Sequence, residues 1–340
     1  MDDLLPDDIV RDILARLPAK PLLRFRGVSK YWNRMLREPC FMNLRSRRTI
    51  ILPLSETLIL IDDNVPTDDT PHSVLKRFYP LANLRKINVI VRVIGTFNGI
   101  VLLGYMHKMI LYNPFTGATK KLPCPPGSCT RPGYGFGYGA TPDDLKIVRF
   151  VQSYHKCDVY SFKKNSWSSW STLQYNIRCI YFQHSVGTFV NGFLHWLAYD
   201  SPKLIVLNVN DMVLSEMHGP VTQNLTEVVL LGTINGCLCS VNYLDNVYAF
   251  ELWVMKEYSV EKSWSPIYSF RDDLNTPLCI FDNGRILMRS DSELTINDHS
   301  RKTYKKLNIS VEVREEWHWH RMHVVEYMES LVAPSDMCCF

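Results

Sequence analysis

The N-terminal stretch LLPDDIVRDILARLP, residues 4–18, decides how the chain begins to fold. Its apolar residues recur at spacings of three and four, which predicts an amphipathic helix. Pro6 suits the first helical position, where its missing N–H is not needed, and Asp7 and Asp8 complement the positive end of the helix dipole. Pro18 ends the pattern, because the residue before a proline avoids the α conformation. The apolar stripe of this helix consists of Ile9, Val10, Ile13, Leu14 and Leu17.

Two more short helices are indicated by the stretch LLRFRGVSKYW at residues 22–32. The second helix should run from about residue 21 to residue 25. The third should begin at Ser29, a good N-cap, and end before Pro39. Three short helices in about 45 residues fall below the size at which a chain usually buries enough surface to stand alone. We therefore expect part of the apolar surface to remain available to a partner.

The stretch from residue 5 to residue 41 resembles an F-box. The matching residues are Leu5-Pro6, Ile9, Ile13-Leu14, Leu17-Pro18, Leu22, Arg24-Phe25-Arg26, Val28, Ser29-Lys30, Trp32 and Pro39-Cys40-Phe41. Position 29 holds serine, where the family more often has cysteine. The resemblance implies that the three helices dock on a Skp-type adaptor, which joins the protein to a cullin ubiquitin ligase. The adaptor contacts that it implies are Leu5, Pro6, Ile9, Ile13, Leu17, Pro18, Leu22, Val28 and Trp32.

The charge distribution agrees with an acidic partner for this segment. Residues 1–48 hold eleven basic and six acidic residues, a net charge of +5, whereas the whole chain carries +4. The basic excess would complement an acidic adaptor and speed the encounter with it. A nucleic-acid partner is not expected, because the rest of the chain is near neutral and the pI is only about 8.4. An ordinary helical cap that packs on the rest of the chain remains the alternative.

Composition indicates a globular chain of one or two domains, since 46% of its 340 residues are hydrophobic and 21% are charged. The chain starts without a basic and apolar leader, and no run approaches eighteen apolar residues. We therefore expect a protein that is neither secreted nor inserted in a membrane, located in the cytoplasm, the nucleus or both. Ten cysteines without a leader indicate free thiols in a reducing compartment.

Short strands with turn signals replace the helical pattern after a predicted linker at residues 46–49. Asn-Gly pairs begin at positions 98, 191, 235 and 283, and each precedes an apolar run, which is a strong hairpin signal. Asp143-Asp144 and Ser55-Glu56 complete a series of turns spaced by about 45 residues. A second series of strand, polar turn and outer strand follows the first, for example from Leu111 to Leu122 and from Tyr258 to Trp264.

Two hairpins in each repeat give four strands, which is the number of strands in a propeller blade. The sequence therefore predicts a small all-α domain at residues 1–45, the linker, and an all-β domain at residues 50–333 that forms a six-bladed β-propeller. Residues 324–328 are expected to close the ring against the first blade, and residues 334–340 form a tail. An open β-sandwich is the alternative, because the repeats share few identical residues.

The all-β segment resembles, over most of its length, the F-box-associated domain of plant F-box proteins, which is kelch-like although the kelch double glycine is absent. The matching residues are Gly95, Asn98-Gly99-Ile100-Val101, Tyr112-Asn113-Pro114, Lys121-Leu122-Pro123, Gly135-Phe136-Gly137-Tyr138, Lys146-Ile147-Val148-Arg149, Val159-Tyr160-Ser161, Ser166-Trp167, Asn191-Gly192, His195-Trp196, Gly236-Cys237-Leu238, Trp253-Val254-Met255-Lys256-Glu257-Tyr258, Ser263-Trp264, Tyr327 and Glu329-Ser330-Leu331-Val332. This resemblance implies a substrate receptor of a ubiquitin ligase.

Glycine, histidine and cysteine patterns give no catalytic or metal site. Gly135, Gly137 and Gly139 alternate with aromatic residues at strand period and precede a turn, which favours a closely approached sheet over a phosphate loop. The histidines at 318, 320 and 323 could share a strand face, but only the neighbouring glutamates at 315 and 316 could complete a metal site. The cysteine pairs 124/129 and 237/239 lack a matching second pair.

Nucleophilic and carboxylate catalysis also lack a sequence signal. No G-x-S-x-G motif occurs, and the paired acids at 62–63, 68–69 and 272–273 fall in polar loops. A glycosidase that assembles distant acids in a propeller channel stays conceivable but has no positive support. We therefore expect a non-catalytic chain without cofactor or metal.

The predicted function is that of the substrate-recognition subunit of a Skp-cullin-F-box ubiquitin ligase. Such a chain would bridge the adaptor to an unidentified protein substrate and raise their effective concentration. No substrate-binding residue can be assigned, although the polar segment 62–80 is the most obvious candidate surface. Two alternatives stay open. One is a propeller that binds sugars or small ligands, suggested by an aromatic content of 12%; the other is an F-box protein that acts outside proteolysis.

Overall fold

The computed structural model describes most of the chain. The described residues are 6–17, 19–36, 38, 41, 48–54, 57–62, 74–80, 91–105, 108–127, 132–151, 156–171, 186–198, 203–220, 227–244, 247–271, 275–290, 293–307, 324–335 and 337. The chain divides into two compact units. The first unit comprises Met1–Leu122 and Val325–Cys339, and the second comprises Pro123–Val324 and Phe340.

Three short helices open the first unit, as the sequence predicted: α1 at Asp7–Ala15, α2 at Ala19–Phe25 and α3 at Lys30–Met35. Pro6 is the N-cap of α1 and not its first helical residue, because its backbone is extended with a ψ of 143°. The carbonyl of Pro6 nevertheless accepts the first helical hydrogen bond, at 3.1 Å from the N–H of Val10.

The predicted cap of α3 is confirmed. Ser29 is extended, and its Oγ accepts a 3.0 Å hydrogen bond from the N–H of Trp32. This bond satisfies one of the amide groups that a helix start leaves without a partner. The turn between α2 and α3 is therefore fixed by a local signal that the sequence carries.

Strands make up nearly all of the remaining regular structure. The strands of the first half are β1 (Arg48–Pro53), β2 (Thr57–Asp62), β3 (Val74–Phe78), β4 (Val91–Phe97), β5 (Ile100–Tyr105), β6 (Lys108–Tyr112), β7 (Thr119–Lys121), β8 (Gly133–Tyr138), β9 (Leu145–Val151), β10 (Lys156–Ser161) and β11 (Ser166–Ser171). The later strands are β12 (Val186–Val190), β13 (Phe193–Leu197), β14 (Lys203–Asn208), β15 (Val213–His218), β16 (Glu227–Ile234), β17 (Cys237–Leu244), β18 (Ala249–Met255), β19 (Trp264–Arg271), β20 (Thr276–Ile280), β21 (Ile286–Arg289), β22 (Leu294–Asp298), β23 (Thr303–Leu307) and β24 (Val325–Met328).

The strands form successive antiparallel sets of four, which is the strand order of a propeller blade. The first unit holds β24-β1-β2-β3 and β4-β5-β6-β7. The second unit holds β16 to β19, β20 to β23, and an eight-stranded sheet in which a parallel pairing of β8 with β12 joins two sets of four. β24 pairs antiparallel with β1, as expected for residues 324–328. β1 begins at Arg48, so it includes the last two residues of the predicted linker.

The predicted Asn-Gly turns are confirmed as hairpin turns. Asn98-Gly99, Asn191-Gly192 and Asn235-Gly236 each have positive φ at both residues and join two paired strands. This conformation suits the twist of a hairpin and is easiest for Asn and Gly. Gly284 also has a positive φ, of 81°, in the longer turn between β20 and β21.

Two details of the predicted repeat are wrong. Residues 258–260 were expected to be a strand, but they lie in the connection between β18 and β19, because Ser259 has a φ of 65° and Glu261–Ser263 forms a 3-10 turn. The predicted turn at residues 55–56 lies outside the described residues, but the strands on either side of it, β1 and β2, are the second and third strands of their sheet. The connection between β1 and β2 therefore does not correspond to the Asn-Gly turns, which join the first and second strands of their sheets, because β24 supplies the first strand here.

The glycines of β8 allow close approach within the second unit, as predicted. A Cβ at Gly135 would lie 2.6 Å from a Leu194 methyl group, and one at Gly137 would lie 2.3 Å from the Phe189 ring. Real side chains do not approach so closely, so these positions need glycine. The alternating glycines serve packing against β12 and β13.

None of the helices within the described ranges is long and apolar enough to cross a membrane. Within the same ranges, no three histidine, cysteine, aspartate or glutamate side chains come together as a possible metal site. The histidines at 318, 320 and 323, the cysteine at 129 and the glutamates at 315 and 316 lie outside the described residues.

Candidate functional site

The helical segment of the first unit has a small apolar core of its own. Its buried members are Leu14, Leu22, Met35, Leu36, Phe41 and Leu331. Leu331 follows β24, so the core of the three helices is completed by a residue near the other end of the chain. Phe115, from the turn between β6 and β7, packs against the same cluster.

An apolar face remains exposed on these helices. Ile9 and Ile13 lie one turn apart on α1 and are 43% and 49% exposed, and Val28, in the turn before α3, is 62% exposed. Tyr31 of α3 is also exposed. Large β-branched side chains gain free energy when they leave water, so this face is suited to a partner. We call Ile9, Ile13 and Val28 together the docking face, after the adaptor contact that the F-box resemblance predicts for them.

The predicted adaptor contacts therefore divide into exposed and buried residues. Pro6 and the docking face are exposed. Leu17 and Trp32 are half-buried against the helical core, and the Trp32 ring meets Phe25 edge-on at a centroid distance of 5.6 Å. Leu22 is fully buried, so in this structure it supports the docking face from beneath and does not line it. Leu5 and Pro18 lie outside the described residues.

Polar contacts tie α1 to α3 and to the residues that follow it. An Arg11 guanidinium nitrogen lies 2.7 Å from a carboxylate oxygen of Glu38, with both side chains partly exposed. A hydrogen bond to the Asp7 carboxylate raises the pKa of the Tyr31 hydroxyl. Both contacts join α1 to α3 or to the segment that follows it.

The segment after β24, residues 329–334, is the C-terminal segment, and it is held by the β4–β7 sheet. The Asn113 amide donates to the main-chain oxygens of Ser330 and Val332, both at 2.9 Å. The Tyr327 hydroxyl donates a 2.7 Å hydrogen bond to the carbonyl of Gly99. The two amide bonds hold the C-terminal segment against the turn between β6 and β7, and the Tyr327 bond holds β24 against the turn between β4 and β5.

Phe115 links the sheet, the C-terminal strand and the helices. Its ring stacks on Tyr327 at 5.8 Å with an interplanar angle of 14°, and it also packs against the helical core. The helices are thus connected to the β-structure of the first unit through side chains, in addition to the chain itself. Sequence reasoning matched Asn113, Tyr327 and Leu331 to a family but gave them no role. Contacts between residues more than 200 positions apart leave no local pattern in the sequence, so they could not be predicted from it.

The second unit contains a buried ion pair that the sequence did not predict. The Arg149 guanidinium of β9 lies 3.2 Å from the Asp158 carboxylate of β10, and both side chains are almost fully buried. The same guanidinium donates to the carbonyls of Pro126 and Gly127 at 2.7 and 3.3 Å. The pair therefore anchors the segment that leads into β8, and its removal would leave a buried charge.

His195 of β13 is buried and neutral. Its Nδ1 lies 3.0 Å from the carbonyl of Thr188, which can only accept, so Nδ1 carries the proton. Nε2 then accepts a 2.9 Å hydrogen bond from the Tyr258 hydroxyl. Burial lowers the pKa of His195 to about 4, which keeps the ring uncharged at neutral pH. The arrangement is a structural contact between two neighbouring sheets.

The two described cysteine positions of β17 do not form a reactive or metal-binding pair. Cys239 is fully buried, and burial raises the pKa of its thiol, whereas Cys237, two residues earlier at the start of β17, is half-buried. A thiol with a raised pKa stays protonated and is a poor nucleophile and ligand. Cys124 is exposed.

Comparison with known families gives two matches that together span most of the chain. Residues 51–334 match the F-box associated beta propeller domain, and residues 3–44 match the F-box domain. This chain belongs to the F-box proteins with an F-box-associated β-propeller domain. Neither family is a catalytic one, and an F-box implies a Skp-type adaptor as partner.

Relatives of this F-box protein occur in Arabidopsis thaliana. F-box protein CPR1 is 29% identical over 310 residues, which cover 78% of this chain and 72% of that protein. An F-box/kelch-repeat protein is 27% identical, with 98% of this chain and 96% of that protein covered. A crystal structure of a nidogen/laminin complex matches with a TM-score of 0.50 at 10% identity, over 83% of this chain and 99% of that one, and shows likeness of fold alone.

Proposed function

We propose that this F-box protein is the substrate-recognition subunit of a Skp-cullin-F-box ubiquitin ligase. The docking face carries the proposal, because it combines an F-box family match with exposed Ile9, Ile13 and Val28 on helices whose own core is already filled. An apolar face that the chain itself leaves uncovered is the surface a stable adaptor would bury.

Charge supports the same partner. The exposed basic residues Arg24, Lys30 and Arg34 lie in α2 and α3, within a segment with a net charge of +5. An acidic adaptor would be attracted to this segment and oriented by it before the apolar contacts form.

The chain needs no catalytic residue for this role. It would hold a protein substrate near a ubiquitin-charged enzyme and so raise the effective concentration of the reacting groups. Leu331 and Phe115 support this function, because both pack on the helical core and so connect the helices to the β-structure of the first unit. Cytoplasm and nucleus, where such ligases and reduced thiols occur, are the proposed locations.

We also propose that the four-stranded sets are the six blades of one propeller, with β24 as the closing strand. The antiparallel order of the sets and the pairing of β24 with β1 support this count. An experimental structure of the full chain would test it, since a sandwich would stack the sheets face to face in two layers.

The function is tested by reconstitution of the full chain with a plant Skp-type adaptor and cullin. We expect one complex on size-exclusion chromatography and chain-dependent ubiquitination of specific proteins in a plant extract. A full chain that is folded but elutes apart from the adaptor would contradict the proposal. Assembly with no chain-dependent ubiquitination would instead favour an F-box protein that acts outside proteolysis.

A further inference from the structure

Two polar side chains of β17 are fully buried and make no hydrogen bond among the described residues. They are Ser240 and Asn242, and the atoms concerned are the hydroxyl oxygen of the serine and both polar atoms of the amide. The two residues are separated by one position, so they point to the same face of the strand. An amide alone can donate two hydrogen bonds and accept two more.

This face of β17 is packed against a neighbouring sheet. Leu238 lies on it and belongs to one buried cluster with Val190 of β12 and Leu204 of β14. Both sheets are in the second unit. Ser240 and Asn242 therefore lie at an interface between two sheets, on the same face of β17 as the buried apolar residue Leu238.

A carboxylate borders the pair. Asn242 is directly opposite Glu251 of β18, and Ser240 is directly opposite Trp253. Side chains at such positions are on one face with Cβ atoms about 5 Å apart. The Trp253 indole donates a 2.9 Å hydrogen bond to one oxygen of Glu251, which holds this carboxylate in place beside the amide.

We propose that Ser240 and Asn242 bind ordered water in this interface, next to Glu251. A buried amide without partners is costly, and native proteins rarely keep one. Water can donate to the amide oxygen and accept from the amide nitrogen, and a buried water typically makes about three hydrogen bonds. The amide nitrogen of Asn242 needs a hydrogen-bond acceptor, which a water molecule supplies and a metal ion does not. The site is independent of adaptor docking.

The proposal is tested in the full chain by whether substitutions of Asn242 and Ser240 lower or raise the melting temperature. Asn242→Leu and Ser240→Ala each remove partners of the proposed water, so we expect the melting temperature to fall by roughly 2–4 °C for each variant. Ser215→Ala, at an exposed position of the edge strand β15, is the matched control and should leave it unchanged. If the groups were simply unpaired, the substitutions would relieve a penalty and raise the melting temperature, which would overturn the proposal.

A high-resolution crystal structure of the full chain with its adaptor gives a second, independent test. We expect density for one or more waters within hydrogen-bond distance of the Asn242 amide and the Ser240 hydroxyl. A direct hydrogen bond from Asn242 to Glu251, or density for a larger molecule between the sheets, would overturn the assignment to water.

Discussion

The side-chain amide of Asn113 donates a hydrogen bond of 2.9 Å to the main-chain oxygen of Ser330, which lies 217 residues later in the chain. The same nitrogen donates to the carbonyl of Val332, and the amide oxygen accepts from the N–H groups of Phe115 and Thr116. Asn113 is fully buried, so these bonds form in a dry environment. One side chain thus shapes a turn and holds the C-terminal segment.

Replacement of Asn113 by Asp should destabilise the first unit. The carboxylate can still accept from the two N–H groups of the turn, but it has no donor for the carbonyls of Ser330 and Val332. We expect a loss of about 2–4 kcal/mol in the free energy of unfolding, since buried acceptors lose their partners and face a negative charge. Thermal and denaturant unfolding would measure it; an unchanged melting temperature would show that the two bonds contribute nothing.

Alanine substitutions at two glycines with the same φ can distinguish the cost of backbone strain from the cost of steric crowding. Gly99 and Gly117 both have a φ of 74°, but a Cβ at Gly99 would lie 1.9 Å from that of Ser330, whereas a Cβ at Gly117 meets nothing within 4 Å. Gly117→Ala should cost about 1 kcal/mol from backbone conformation alone. Gly99→Ala should cost roughly 2 kcal/mol more, because the C-terminal segment must move. Equal losses in chemical denaturation would contradict the close approach.

Leu331→Ala should weaken adaptor binding although the residue is buried and lies after the last strand. The substitution leaves a cavity in the helical core and should cost about 2–5 kcal/mol of stability. Met328→Ala is the matched control, because Met328 is in the neighbouring strand but 45% exposed. Calorimetric titration with the adaptor, below both melting temperatures, should show reduced affinity only for Leu331→Ala. Equal affinities would mean that the helices do not depend on the C-terminal segment.

Local signals explain which parts of this fold the sequence predicts well. The start of α3 follows from Ser29, and the hairpins follow from Asn-Gly pairs whose positive φ few other residues adopt easily. Each such signal acts within a few residues. For this reason the helices and the four-strand repeat were recognised. The strand expected at residues 258–260 was wrong, because these residues lie in an irregular connection that contains no glycine to mark it as a turn.

Long-range packing explains what the sequence did not predict. The apolar stripe of α1 identifies Ile9, Ile13 and Leu14 as candidates for burial, but only the fold decides that Leu14 is covered and the two isoleucines are exposed. Leu22 was predicted to contact the adaptor like the two isoleucines, but its side chain is fully buried in the helical core. No periodicity connects the helices with Leu331, so the support of the docking face became visible only in three dimensions.

Mild acid should destabilise the second unit through His195. Burial lowers the pKa of this ring to about 4 in the folded state, whereas an unfolded histidine titrates near 6.5. Between these values the unfolded chain binds the extra proton, so stability is complete above about pH 6.5 and falls toward pH 4 by roughly 3 kcal/mol.

Melting temperatures of the wild type and His195→Gln across this pH window would check the histidine's contribution. The wild type should lose more stability than the variant as pH falls, because glutamine takes up no proton. Tyr258→Phe, which removes the donor to Nε2, should lower stability by about 1–2 kcal/mol at neutral pH. Parallel pH profiles for the wild type and His195→Gln would contradict a buried, neutral histidine.

The affinity of the full chain for a Skp-type adaptor, measured by calorimetry for the wild type, Ile13→Asp and Ile267→Asp, tests the docking face most directly. Ile267 lies on β19 with an exposed fraction of 45%, close to the 49% of Ile13, so both charges enter similar surroundings. We expect Ile13→Asp to weaken binding at least tenfold, about 1.4 kcal/mol, and Ile267→Asp to bind like the wild type. Wild-type affinity for Ile13→Asp would contradict adaptor docking through this face.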